Sequence, residues 1–180
     1  MNKTDTLNLK DNIRRIPEFK GVVFWDITPL LKDPNCFRTT IKQIADHYRN
    51  KNIEVVAATE ARGFIIGAPV AYELNAGFVP IRKKGKLPYK CIDLTYQKEY
   101  ENDTIQIHED AITKGQTVLI IDDLLATGGT AKANLELVEK IGGKVAGIAF
   151  IVELDYLGGR KMLGDNYEIF SLERKLTPDS

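Results

Sequence analysis

The stretch Val118-Leu119-Ile120-Ile121-Asp122-Asp123-Leu124-Leu125-Ala126-Thr127-Gly128-Gly129-Thr130 decides how this chain is read. Thr117 to Ile121 is an apolar, largely β-branched run, the pattern of a strand buried on both faces. It leads through the adjacent acids Asp122 and Asp123 into a loop of small residues, Ala126 to Thr130. A helix follows from about Thr130 to Ile141 and is closed by Gly142-Gly143. Glycines let backbone N–H groups converge on an anion, the threonine hydroxyls add donors, and the helix N-terminus adds positive potential. A phosphate group fits the loop. The acids cannot bind phosphate directly; they suit the vicinal hydroxyls of a ribose, or a cation beside it. A sugar phosphate satisfies both halves at once. The competing reading is a turn rich in helix caps with solvated acids, and the buried strand before Thr127-Gly128-Gly129-Thr130 weighs against it.

Working outward, Ile53 to Ala58 and Val145 to Val152 are further buried strands, and Phe78 to Ile81 is another. Thr104 to His108 alternates and reads as a strand. Phe64 to Leu74 is expected to be a helix with Pro69 near its first turn. Phe37, Ile41, Ile44 and Tyr48 share one helical face after Pro34, and Leu9, Ile13 and Ile16 form a short helical stripe ahead of Pro17. Strands alternating with helices imply an α/β fold, a mostly parallel central sheet flanked by helices. Ligands in such sheets sit beyond the carboxyl ends of the strands, which singles out the loops after Ala58, Ile81, Ile121 and Val152. Lys83 to Asp103 is long, polar and without clear period, the mark of a functional lid or a mobile hairpin.

Composition narrows the classes. A chain of 180 residues predicts one domain, and 43% hydrophobic with 28% charged residues excludes wholesale disorder. Lys+Arg and Asp+Glu both number 25, so bulk electrostatics offers nothing to nucleic acid or an anionic membrane. Neither partner is expected. The P-loop pattern and any G-x-G are absent, which removes two common nucleotide signatures. Cys36 and Cys91 have no C-x-x-C or metal spacing and read as buried or loop thiols. With no apolar signal core and no run near the ~20 residues of a membrane span, the expected location is cytoplasmic.

The stretch Val118 to Thr130 resembles the signature of the type I phosphoribosyltransferases. Glu60-Ala61-Arg62-Gly63-Phe64, Arg82-Lys83-Lys84-Gly85-Lys86-Leu87-Pro88 and Tyr96-Gln97-Lys98-Glu99-Tyr100 are similar to the adenine phosphoribosyltransferases. So is Val22-Val23-Phe24 leading to Asp26-Ile27-Thr28-Pro29-Leu30-Leu31. The likeness runs roughly from Ile13 to Arg160. It implies a single phosphoribosyltransferase domain over residues 1–180, with a small N-terminal base-binding hood at about 1–33 and a mobile catalytic loop at 84–103.

The family reaction joins adenine to 5-phosphoribosyl 1-diphosphate, giving AMP and diphosphate, with Mg2+ carried through substrate oxygens and water rather than by direct protein ligands. By that resemblance Ala126, Thr127, Gly128, Gly129 and Thr130 hold the 5′-phosphate, while Asp122 and Asp123 hold the ribose hydroxyls. Arg62 meets the diphosphate, and Arg82, Lys83 and Lys86 bind it too, in the same site or in a dimer partner's. Glu99 is the active-site glutamate at the purine. Phe24 and Leu154 sandwich the base, the backbone from Val23 to Trp25 reads its edge, and the side chain of Trp25 is a wall or cover. The family also implies a homodimer.

Three departures stand out: Lys20 precedes Gly21 where proline is frequent, Trp25 follows Phe24 where many members have arginine, and Glu101-Asn102 follow Tyr100 where glycine is usual. Two other functions compete. One is transfer to another purine, hypoxanthine or xanthine. The other is a non-catalytic regulator that senses phosphoribosyl diphosphate, against which stand the short chain, its zero net charge and the presence of Arg62 and Glu99.

Overall fold

Strands β3 (Val55–Thr59) and β7 (Thr117–Leu125) lie side by side and parallel, and both carry buried runs. The computed structural model describes residues 9–19, 21–97 and 102–179. Around that pair are β4 (Gly77–Lys83), parallel to β3, and β8 (Lys144–Leu154) and β9 (Ile169–Lys175), which continue the parallel sheet beyond β7. The hairpin of β5 (Cys91–Gln97) and β6 (Asn102–His108) joins antiparallel at the β4 edge. Among the described residues the order is β5-β6-β4-β3-β7-β8-β9. β1 (Arg14–Phe19) and β2 (Val22–Asp26) form a separate antiparallel pair, followed by the short α1 (Thr28–Lys32).

Alternation along each strand divides the core in two. Val56, Ala58, Leu119 and Ile121 face α2 (Pro34–Tyr48) and α3 (Arg62–Leu74), while Val55, Ala57, Val118 and Ile120 face α4 (Gly129–Lys140). This places the first turns of α3 and α4 at the carboxyl ends of β3 and β7, where an α/β sheet builds its site.

Several expectations shift. The stripe Leu9, Ile13, Ile16 is not a helix: Leu9–Asn12 is a single 3-10 turn and Arg14–Phe19 is strand β1. Pro17 lacks an N–H to continue a helix, and Val22-Val23-Phe24 supplies a strand partner. Pro69 lies in the interior of α3 rather than near its start, because the helix opens at Arg62. Asp122 and Asp123 sit within β7, not in a loop, since the long β8 stays paired past them, Asp122 with Phe150 and Leu124 with Val152. The polar segment after Lys83 contains β5, whose Ile92, Leu94 and Tyr96 pack on the α4-side core.

Gly67 sets how closely α3 approaches the sheet, because a Cβ there would stand 2.7 Å from the Ala58 Cβ and 3.1 Å from the Phe78 ring. Gly67→Ala gains about 1 kcal/mol of helix propensity but overpacks this contact at a cost of about 1–3 kcal/mol. We expect a lower urea midpoint with an unchanged slope; a midpoint at or above wild type would show that α3 does not sit this close.

Candidate active site

A cavity of about 280 Å³ opens at the carboxyl edge of the sheet, where β3, β7 and the first turns of α3 and α4 meet. Its floor is the acid pair. Asp123 is buried, and the Nε of Arg62, the first residue of α3, stands 2.8 Å from its Oδ2. That is ion-pair distance, although the N–H does not point along a hydrogen-bond line to the oxygen. Asp122 Oδ1 accepts from the backbone N–H of Asp123 at 2.9 Å. The Thr59 hydroxyl at the end of β3 favours the charged form of Asp122, and the buried Asn134 of α4 donates to that hydroxyl at 2.5 Å.

Packing two carboxylates here has an electrostatic cost. Burial, and then the neighbouring charge of Asp123, push the Asp122 carboxyl well above its ordinary value. Burial also raises Asp123, opposed by the Arg62 cation. The pair therefore holds protons more tightly than free carboxylates do.

The loop beyond β7 has the shape its composition implies. Gly128 takes a φ of 90°, a left-handed conformation that suits glycine, and α4 starts at Gly129. Ala126, Thr127, Gly128, Gly129 and Thr130 all line the cavity, so its wall is backbone N–H and hydroxyl beneath a 12-residue helix. Tyr96 of β5 reaches across from the hairpin, its hydroxyl 3.1 Å from Thr130 Oγ1.

The basic cluster is divided. Lys83 lines the cavity. Arg82 does not: its Nε donates to Glu60 at 2.7 Å and its Nη1 to the Lys86 carbonyl at 3.0 Å. Lys86 is exposed and also lies off the cavity wall. Glu60 further accepts from the Lys83 N–H at 3.0 Å, fixing the strand end that presents Lys83.

The hood divides its side chains between two sides. The Arg62 guanidinium carbon lies 5.1 Å from the centroid of the Phe24 ring, so Arg62 joins the hood to the acid pair. Val23 packs on the α2–α3 core. None of Val23, Phe24, Trp25 and Leu154 lines this cavity; Trp25, as the strand neighbour of Phe24, faces the other way, into the core. Leu154 is buried in the same apolar cluster. Glu99 lies outside the described residues.

Thr59, Glu60, Tyr96 and Asn134 join the site without having been read as functional. Glu60 and Tyr96 belong to stretches already singled out, whereas nothing local marks Asn134 on a long amphipathic helix. Among the described residues no group of three or more His, Cys, Asp or Glu could cage a metal ion.

The Phosphoribosyl transferase domain family matches residues 28–175. The adenine phosphoribosyltransferase of Koribacter versatilis is 54% identical over 92% of this chain and 91% of its own length. The crystal structure of that enzyme from Thermoanaerobacter pseudethanolicus superposes with a TM-score of 0.89 at 49% identity, covering 93% of this chain and 98% of the other. The Saccharomyces cerevisiae enzyme, solved with an imino-altritol bisphosphate and adenine, has a TM-score of 0.85 at 38% identity over 91% of this chain and 96% of its own. Joined to an acid pair and a glycine-threonine loop around one cavity, these likenesses mean that the chain belongs to the adenine phosphoribosyltransferase family.

Proposed function

We propose that the protein transfers the 5-phosphoribosyl group of 5-phosphoribosyl 1-diphosphate to adenine, yielding AMP and diphosphate in purine salvage. The observation that carries this is one cavity in which Asp122 and Asp123 adjoin the Ala126–Thr130 loop, with Phe24 held alongside through Arg62. The loop and the N-terminus of α4 take the 5′-phosphate. The acids take the 2′- and 3′-hydroxyls, which fixes the anomeric carbon above the cavity floor.

In the reaction a purine ring nitrogen forms a bond to the anomeric carbon. The bond from that carbon to diphosphate oxygen breaks, and its electron pair leaves with the diphosphate. The sugar passes through an oxocarbenium-like state, which negative charge on the acid pair favours. We assign the nitrogen's proton to Glu99. Arg62 exchanges Asp123 for the incoming diphosphate, and Lys83 meets it from the wall. Mg2+ fits as an ion carried by substrate oxygens, because the acid pair offers too few donors for a protein cage; bound so, it neutralises the diphosphate. Asp122 and Asp123 are the side chains placed to hold its water shell. Arg82 and Lys86 act on the diphosphate only if their present partners release them or if they serve a second subunit.

For the base, we assign the edge to the backbone of Val23 to Trp25 and the ring faces to Phe24 and Leu154. We further propose that the 84–103 segment closes over the site and that residues 1–33 act as the hood. A homodimer is also proposed; Ile65 and Tyr72, seven residues apart on α3, leave apolar surface for a second copy, Tyr72 being 85% exposed. We place the protein in the cytoplasm; among the described residues no helix is long and apolar enough to cross a membrane.

A steady-state assay with 5-phosphoribosyl 1-diphosphate, Mg2+ and each purine tests the assignment. A site that hydrogen-bonds one base edge rejects a mismatched edge by up to ~10⁴ or more. We therefore expect kcat/KM for adenine to exceed that for hypoxanthine by at least about a hundredfold. Comparable turnover of hypoxanthine would replace the adenine assignment, and no turnover of any purine would favour a phosphoribosyl-diphosphate sensor.

Asp122→Asn separates function from stability. Loss of one charge facing the sugar should lower kcat/KM by ~10². Stability should move the other way. A carboxyl whose folded pKa is raised contributes stability that is fully present below the ordinary value of 3.8 and lost as pH rises through the folded value. Asparagine has no such loss, so the Tm gain of the variant should open as pH rises above 3.8 and then level off. A variant less stable than wild type at neutral pH would contradict the buried-charge account.

A further inference from the structure

Among the described residues the β1–β2 hairpin shares no main-chain ladder with the seven-stranded sheet, so side chains hold it in place. Two of these contacts come from residues 175–179. Arg15 of β1 donates from Nε to the Pro178 carbonyl at 2.7 Å and pairs through Nη2 with Asp179 at 2.5 Å. Its cross-strand partner Trp25, on β2, is 3% exposed with its indole Nε1 unpartnered. The ammonium of Lys175, the last residue of β9, stands 4.6 Å from the Trp25 ring centroid.

Lys175 is itself only 2% exposed. Among the described residues no carboxylate forms an ion pair with it, and burial, with Lys10 adding to it and Glu173 opposing, holds it below the usual lysine value. A desolvated cation–π contact to tryptophan returns less than burying an ammonium costs. For stability alone, an apolar side chain of similar length would serve better. What the ammonium supplies is direction: it is attracted to the face of the indole ring, while apolar packing has no preferred orientation.

We propose that Lys175 is a positioning residue for the base site, orienting Trp25 and through it the strand that presents Phe24 on its opposite face. This rests on the hood being the adenine site. The contact also changes what an arginine at position 25 would do here: Trp25→Arg would bring a second cation against Lys175.

The test uses Lys175→Met and Lys175→Arg in the full chain. Trp25 is the only tryptophan, so tryptophan emission, excited to the red of tyrosine absorption, reports its surroundings alone. For Lys175→Met we expect altered Trp25 emission, a KM for adenine raised about tenfold (about 1.4 kcal/mol), a KM for 5-phosphoribosyl 1-diphosphate within about twofold of wild type, and a Tm equal or higher. Lys175→Arg keeps a cation at the ring and should bring the adenine KM back towards wild type. An unchanged adenine KM, equal rises in both KM values with a lower Tm, or failure of Lys175→Met to fold would each overturn the proposal. If the adenine assignment itself were wrong, wild type would show it by not using adenine, while the emission change on Lys175→Met would remain.

Discussion

The adjacent carboxylates of Asp122 and Asp123, held at the end of a buried strand, are the constraint around which this molecule is organised. Like charges in a poorly solvated site repel and resist ionisation. Each element around them answers that problem: Arg62 brings a cation from the start of α3, Thr59 brings a hydroxyl from β3, and Asn134 steadies that hydroxyl from α4. The packing that admits α3 depends on glycines at Gly63 and Gly67; a Cβ at Gly63 would already stand 3.2 Å from the Asp122 carboxylate. In the proposed reaction, a sugar whose hydroxyls donate to the acids, with positive charge growing on its ring, would relieve that repulsion.

Arg62 links this centre to the rest of the chemistry. It pairs with Asp123 and lies over Phe24, so the acid floor and the hood share one side chain. Diphosphate competing for that guanidinium would alter both contacts. The hood in turn depends on the last residues of the chain, which places the two ends of the sequence in one device and leaves the central sheet as the fixed frame.

The parallel sheet and the phosphate loop were legible because their signals are local. Thr117 to Ile121 is apolar without interruption, and Thr127-Gly128-Gly129-Thr130 follows within a few residues. β5 was legible in principle, since Ile92, Leu94 and Tyr96 alternate, but the lysines before them masked the period. The N-terminal strand was misread because three apolar residues fit a helical stripe as well as a turn followed by a strand. Trp25 meets Lys175, 150 residues along the sequence, and Asn134 meets Thr59, 75 residues away. Contacts of that range leave no trace in local spacing. Charge and the resemblance treat the basic turn as one group, yet Glu60 commits Arg82 and leaves Lys83 on the cavity wall.

A crystal structure of the protein with AMP bound tests the central claim most directly. The account predicts the phosphate within hydrogen-bond distance of the backbone N–H groups from Thr127 to Thr130, the ribose hydroxyls on Asp122 and Asp123, and the adenine ring against Phe24. Phosphate bound instead on Arg82 and Lys86, or a ribose turned away from the acid pair, would contradict it.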